Sequence, residues 1–157
     1  MENIYNETAL TQEQINDVLS LYSSGRIEEA ISEIKALNSN YPNVPLLFNI
    51  LGACYQSLGQ LDASIQMFKT AVSIKPDYAE AHFNLGIVQK KNDQLELAIQ
   101  SYKRTISLAP SYAEAYNNLG NVYKIIGQND DAINSYKKAI EIKPEFADAH
   151  NNLGIAF

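Results

Sequence analysis

The chain has 157 residues, 46% of them hydrophobic and 19% charged, a composition typical of a folded protein and not of a disordered one. Its 18 acidic and 12 basic residues give a net charge of −6, which disfavours a broad phosphate-binding surface and predicts no nucleic-acid partner. The single cysteine excludes an intramolecular disulfide, no Cys/His cluster has the spacing of a zinc site, and no run of about 18 apolar residues offers a membrane span. We therefore expect a cytoplasmic protein without membrane segment, metal or cofactor.

Proline and glycine recur along the chain with a fixed period. Four of the five prolines are separated by steps of 34 residues, namely Pro42, Pro76, Pro110 and Pro144. The same step separates Gly52, Gly86, Gly120 and Gly154, and a second column holds Gly25, Gly59, Asp93 and Gly127. A constant period of this length indicates a repeat architecture. We predict a leader at 1–10, whole repeats at 11–44, 45–78, 79–112 and 113–146, and the first helix of an incomplete fifth repeat at 147–157.

Each repeat is predicted to form two amphipathic helices, at about 79–92 and 96–109 in the third repeat, because apolar residues recur three and four positions apart. The fold class is therefore all-α. The first glycine column lies inside the first helices, where glycine costs about 1 kcal/mol relative to alanine. We expect close approach of the second helix to offset this cost, since its facing positions carry the small residues Ser64, Ala98 and Ala132. The second column lies between the helices, where a left-handed residue is expected.

The fourth repeat shows the recurring residues most completely, as Tyr116, Leu119, Gly120, Tyr123, Ala132, Tyr136, Ala139 and Pro144. These residue types at this spacing resemble the tetratricopeptide repeat (TPR). The resemblance covers residues 11–157 and implies a right-handed α-solenoid of antiparallel helix pairs, the TPR superhelix. The first repeat is divergent and is expected to act as an N-terminal cap. The second departs from the family at Ser64, and the third at His82, Gln89 and Ile106.

No catalytic motif is present. The Leu-Gly pairs do not continue into a dinucleotide-binding or phosphate-binding loop. His82 and His150 occupy the same repeat position two repeats apart, so we expect both to fill a packing site and not to share a metal. Cys54 is expected to be buried and unreactive. The sequence predicts that this chain is not an enzyme.

Asparagine is concentrated at two positions of the first helices. In TPR proteins the first helix of each repeat lines a concave face, and positions 2, 5, 6, 9, 12 and 13 of the repeat commonly point into it. Here positions 5 and 6 carry Asn49, Phe83, Asn84, Asn117, Asn118, Asn151 and Asn152. An amide can bind the backbone N–H and C=O of an extended peptide at once. The alternative is that these amides bond to one another or to nearby backbone and stiffen the stack.

The asparagine column resembles the feature that lines the superhelix of O-linked N-acetylglucosamine transferases, and the stretch 113–124 is similar to those repeats. Charges flank the column. Glu80 and Glu114 lie at position 2, and Lys90, Lys91 and Lys124 lie towards the other end of the same helices. Such acidic and basic edges could orient a peptide. Alternatively, each charge only complements a helix dipole.

TPR domains that clamp the C-terminal carboxylate of chaperones need lysine and arginine where this chain has Glu114 and Asn118. We predict no such clamp. The predicted function is a protein-interaction scaffold that binds an extended peptide or protein segment in the concave groove.

Two alternatives stay open. The chain could be the N-terminal recognition domain of a larger glycosyl-, sulfo- or methyltransferase, whose catalytic domain is not in this sequence. It could instead form homo-oligomers through 147–157, where Leu153, Ile155 and Phe157 would have no second helix to cover them. We expect the chain to be cut from a longer protein.

Overall fold

The structure, a computed structural model, describes residues 10–155, and every regular element in that range is an α-helix. The helices are α1 (Gln12–Ser23), α2 (Ile27–Asn40), α3 (Pro45–Ser57), α4 (Leu61–Ile74), α5 (Ala79–Lys91), α6 (Leu95–Leu108), α7 (Ala113–Ile125), α8 (Asn129–Ile142) and α9 (Ala147–Ile155). The all-α prediction is confirmed. Most of the predicted leader and Phe157 lie outside the described residues.

The helices alternate with short turns at a regular spacing. Helices α3, α5, α7 and α9 each begin 34 residues after the previous one, and so do α4, α6 and α8. The turn inside each pair contains a left-handed residue, with φ of 77°, 71° and 77° at Gly25, Gly59 and Gly127 and 57° at Asp93. The predicted left-handed column is therefore confirmed, since glycine adopts this conformation without strain and aspartate tolerates it.

The described chain divides into two compact units, one up to Pro76 and one from Asp77 onward. In the first unit, α3 packs against α4 and against α2, around a core that includes Ile34, Leu47 and Cys54. In the second unit, α7 packs against both α6 and α8, and α9 adds to α8. Its core is centred on the fully buried rings of Tyr102 and Tyr136. Each unit is thus held by its own hydrophobic core.

The glycines inside the first helices face aromatic rings. A Cβ atom on Gly52, Gly86 or Gly120 would lie within 2.8, 2.7 and 2.6 Å of ring atoms of Phe68, Tyr102 and Tyr136 respectively. The expected close approach is present, and the side chain that fills the space beside each glycine is the ring four residues further along the second helix. The small residues Ser64, Ala98 and Ala132 are fully buried, and the Ser64 hydroxyl donates a hydrogen bond to the Gly52 carbonyl at 2.8 Å. This bond accounts for serine where the family has alanine.

Candidate functional site

The predicted binding residues all lie on first helices of the repeats, and we call them the first-helix surface. Asn49 lies on α3 in the first unit. The remaining residues lie in the second unit: Glu80, Phe83, Asn84, Lys90 and Lys91 on α5, Glu114, Asn117, Asn118 and Lys124 on α7, and Asn151 and Asn152 on α9. Their exposure differs widely. Asn49 and Asn117 are buried, Asn84, Asn118 and Asn152 are half-buried, and Asn151 is exposed.

One pair of asparagines is joined between neighbouring repeats. The side-chain nitrogen Nδ2 of Asn152 donates a hydrogen bond to Oδ1 of Asn117 at 3.0 Å. Asn117 is only 5% exposed, so this bond satisfies a buried amide oxygen. The sequence left open whether the asparagines bind a ligand or bond to one another. For Asn117 and Asn152, the structure shows that they bond to one another.

Asn118 differs from its neighbour Asn117. Its side chain is half-buried, yet it forms no side-chain hydrogen bond within residues 10–155. The residue one repeat earlier at position 5, Phe83, is an aromatic that cannot bond an amide as Asn117 does. Asn118 therefore has no side-chain partner equivalent to the one that Asn152 finds in Asn117.

Phe83 packs among aromatic rings of its own unit. Its ring centroid lies 4.8 Å from that of Tyr112 and 6.0 Å from that of Tyr102, both in tilted arrangements. Such pairs add stability beyond the area they bury. Phe83 is half-buried, so it holds the repeats together and leaves part of its ring on the first-helix surface.

The two predicted charged edges are not equivalent. Glu114 accepts a hydrogen bond from Nζ of Lys143 at 3.0 Å, and this bond lowers the pKa of the Glu114 carboxyl. On the other edge, Lys90, Lys91 and Lys124 lie in the last turns of α5 and α7, as a helix-dipole role requires. None of these three lysines forms an ion pair in the part of the chain that the structure describes. The basic edge therefore keeps its charge, whereas part of the acidic edge is neutralised.

Position 9 of the repeat carries a contact that sequence reasoning missed. The hydroxyl of Tyr136 donates a hydrogen bond to Oδ1 of Asn121 at 2.9 Å. One repeat earlier Asn121 is replaced by Ile87, and the hydroxyl of Tyr102 is buried without a hydrogen-bond partner. Burial also raises the pKa of Tyr102. The sequence signal for this contact is an asparagine at position 9 of a repeat whose second helix carries a tyrosine, as with Asn121 and Tyr136.

Three further sequence expectations can be compared with the structure. Cys54 is fully buried, and burial raises the pKa of its thiol to about 11, which agrees with an unreactive residue. His150 does not fill a packing site. It is exposed, and its Nε2 lies 2.7 Å from the Pro144 carbonyl oxygen, because no later helix in the described range covers it.

The expectation that Leu153 lacks partners is also wrong, because Leu153 packs against the core of the second unit. Ile155 is 61% exposed. Association of copies through 147–157 stays a prediction.

Within residues 10–155, no cluster of three or more histidine, cysteine, aspartate or glutamate side chains has the geometry to hold a metal ion. Of the helices in the same range, none combines the length and the apolar character needed to span a membrane.

The fold, the repeat spacing and the glycine–aromatic contacts define the class of protein. A family model described as "TPR repeat" matches residues 52–93, 91–126 and 120–157. The chain belongs to the tetratricopeptide repeat family.

Among solved structures, the chain is similar to MamA. A crystal structure of MamA is 34% identical in sequence with a TM-score of 0.83, and the match covers 87% of this chain and 80% of MamA. MamA from Desulfovibrio magneticus RS-1 is 25% identical with a TM-score of 0.85, over 94% of this chain and 85% of that one. These likenesses confirm the TPR α-solenoid class. No curated protein matches the sequence significantly.

A third similar structure is YrrB, described as a TPR protein with an unusual peptide-binding site. It is 22% identical with a TM-score of 0.80, and the match covers 96% of this chain and 77% of YrrB. At this identity the likeness concerns the fold alone.

Proposed function

We propose that this protein is an interaction scaffold that binds an extended peptide or protein segment on the first-helix surface, without catalysis by this chain. The observation that carries the proposal is the Asn118 amide, which is half-buried and forms no side-chain hydrogen bond within the described residues. The amide is thus available at the surface, and a ligand backbone can supply both a donor and an acceptor to it.

The surroundings of Asn118 on α7 suit an extended ligand. Asn117 is held by Asn152, so the neighbouring amide is already fixed. Ile125 at the end of α7 is 59% exposed and offers apolar contact to a ligand side chain. Lys124 precedes it and carries an unpaired charge within the described range. Backbone pairing at Asn118 would give affinity, and the α7 C-terminal end would add selectivity.

Known TPR structures support a peptide partner. YrrB is described as having a peptide-binding site, and the first TPR domain of Spaghetti (RPAP3) was solved bound to an HSP90 peptide, SRMEEVD. The resemblance of 113–124 to the asparagine-lined repeats of O-linked N-acetylglucosamine transferases points the same way. The predicted absence of a chaperone-tail clamp is kept, since Glu114 stands where that clamp needs a cation.

The experiment is selection of peptides from a displayed random library on the full chain, followed by calorimetry with two variants. Asn118→Ala is expected to weaken the selected peptides about tenfold, the loss of paired hydrogen bonds to a peptide backbone. Asn134→Ala is the matched control, because Asn134 is an exposed asparagine on α8, a second helix. It should leave affinity unchanged.

Urea unfolding of both variants should match the parent chain. A library that enriches no binder, or binders that tolerate Asn118→Ala as well as Asn134→Ala, would contradict the proposed function.

A further inference from the structure

An open cavity of about 240 Å³ lies between α7 and α8 in the fourth repeat. Its lining includes Tyr116, Leu119 and Tyr123 from α7 and Asp131, Asn134 and Ser135 from α8. None of these residues belongs to the first-helix surface. The cavity is therefore separate from the site of the proposed function.

The α7 wall of the cavity is aromatic and apolar. Leu119 and Tyr123 are 5% and 9% exposed, and Tyr116 is half-buried. Nζ of Lys103 lies 5.8 Å from the centroid of the Tyr123 ring, so this ring already has a cation beside it. The Tyr116 ring has no ring partner and no cation above it within residues 10–155. Because aromatic faces attract cations, the Tyr116 ring suits a cationic ligand.

The α8 wall carries a carboxylate. Asp131 is exposed, and its side chain forms no hydrogen bond or ion pair in the described range, since the Ser135 hydroxyl donates to the Asp131 backbone carbonyl. Lys138 also lines the cavity, but its Nζ is held by both carboxylate oxygens of Glu141, at 2.8 and 2.9 Å. The charge left without a counterion on the lining is therefore negative.

The helix dipole does not by itself explain an acid at this place. It favours an acid in the first turn of α8, and Asp130 supplies one there without lining the cavity. The position of Asp131 holds Ala63 in the second repeat and Leu97 in the third. In the first repeat it holds Glu29, whose carboxylate is paired with Arg26. Among the whole repeats, an unpaired acid beside two tyrosines is thus specific to the fourth.

We propose that this cavity binds an arginine side chain of a partner polypeptide. A planar guanidinium stacks on aromatic rings and binds carboxylates through two parallel hydrogen bonds, and the arginine stem packs on apolar surface. The guanidinium lies against the Tyr116 ring and donates to the Asp131 carboxylate, and the methylenes pack on Leu119. The cavity and the first-helix surface together give the protein two separate recognition sites.

The test is an NMR titration of the ¹⁵N-labelled full chain with N-acetyl-arginine amide, following the side-chain NH₂ signals of Asn134 on the lining. We expect a saturable shift of these signals and a much weaker response to the neutral isostere N-acetyl-citrulline amide. Asp131→Asn should weaken binding about tenfold or more, as expected for loss of a charge-assisted hydrogen bond. Asp130→Asn is the matched control and should leave the affinity unchanged, since Asp130 lies in the same turn but not on the lining.

A second variant, Ser135→Met, fills the cavity with the residue found at Met67 in the second repeat and should abolish the response. Backbone amide spectra report that each variant is folded. Asn118→Ala should bind N-acetyl-arginine amide as the parent chain does, so this site and the proposed function are tested independently.

The proposal is overturned if the Asn134 signals do not move, if the citrulline isostere moves them equally, or if Asp130→Asn weakens binding as much as Asp131→Asn. N-acetyl-lysine amide that binds as tightly as the blocked arginine would also overturn it, because the site would then accept any cationic side chain.

Discussion

At single positions in this fold, the residue type that fits depends on the space that a neighbouring side chain leaves. A glycine inside a helix is unfavourable on intrinsic grounds. At Gly120 the Tyr136 ring leaves no room for a Cβ atom, whereas a Cβ on Gly154 would meet nothing within 4 Å. The same repeat position is thus under steric constraint in one repeat and free of it in another.

Gly120→Ala should destabilise the protein by about 1–2 kcal/mol, since overpacking outweighs the gain in helix propensity. The Tyr136 ring cannot move cheaply, because it is fully buried and its hydroxyl is bonded to Asn121. Gly154→Ala should be neutral or stabilise by up to about 1 kcal/mol. Urea unfolding measures both, and equal destabilisation of the two variants would contradict the role assigned to the ring.

A second matched pair separates a satisfied hydroxyl from an unsatisfied one. Tyr136→Phe removes the hydrogen bond to Asn121 and should cost about 1 kcal/mol of unfolding free energy. Tyr102→Phe removes a buried hydroxyl that has no partner, so stability should hold or rise. The urea midpoints of the two variants should move apart. Destabilisation of Tyr102→Phe as large as that of Tyr136→Phe would show that the Tyr102 hydroxyl is bonded in solution.

At the scale of helix pairs, the space between the two helices of a repeat is filled differently from repeat to repeat. In the second repeat Met67 and Tyr55 are both partly buried and pack against the core of the first unit. The fourth repeat has Ser135 at the equivalent position and a cavity of about 240 Å³ there. The Ser135 hydroxyl donates only to the Asp131 carbonyl one turn earlier in α8.

Ser135→Met should therefore stabilise the protein by about 1 kcal/mol, as cavity-filling substitutions commonly do. Ser101→Met at the same position of the third repeat should give no gain, because it removes the donor to the buried Gln89 amide. Thermal unfolding followed by circular dichroism compares the two. The expectation fails if both variants are stabilised alike.

Sequence reasoning located the helices because their determinants are local. The glycine and aspartate turns, the prolines and the apolar spacing each depend on neighbours within a few residues. It left the bonding of the asparagine column open between two alternatives, and it missed the burial of Gln89. The bond from Asn152 to Asn117 and the burial of Gln89 depend on how neighbouring helices pack, and no residue taken alone indicates them. For this reason the asparagine column was predicted as one group, whereas its members differ in burial and bonding.

At the scale of the whole molecule, the period of 34 residues explains both the architecture and much of the charge. Acidic residues recur in the first turns of the second helices, at Glu28, Asp62, Glu96 and Asp130. Those acids complement helix dipoles, so the net charge of −6 is largely a property of the repeat. We expect recognition to depend on local surfaces whose charge differs from this average, such as the lysines that end α5 and α7, which form no ion pair within residues 10–155.

The most direct measurement of the central claim is a chemical-shift map of a library-selected peptide on the ¹⁵N-labelled protein. The account predicts that the Asn118 side-chain NH₂ signals and the backbone amides of α7 shift most, and that those of α8 stay in place. Shifts concentrated on α8 and α6, with the Asn118 signals unmoved, would contradict it.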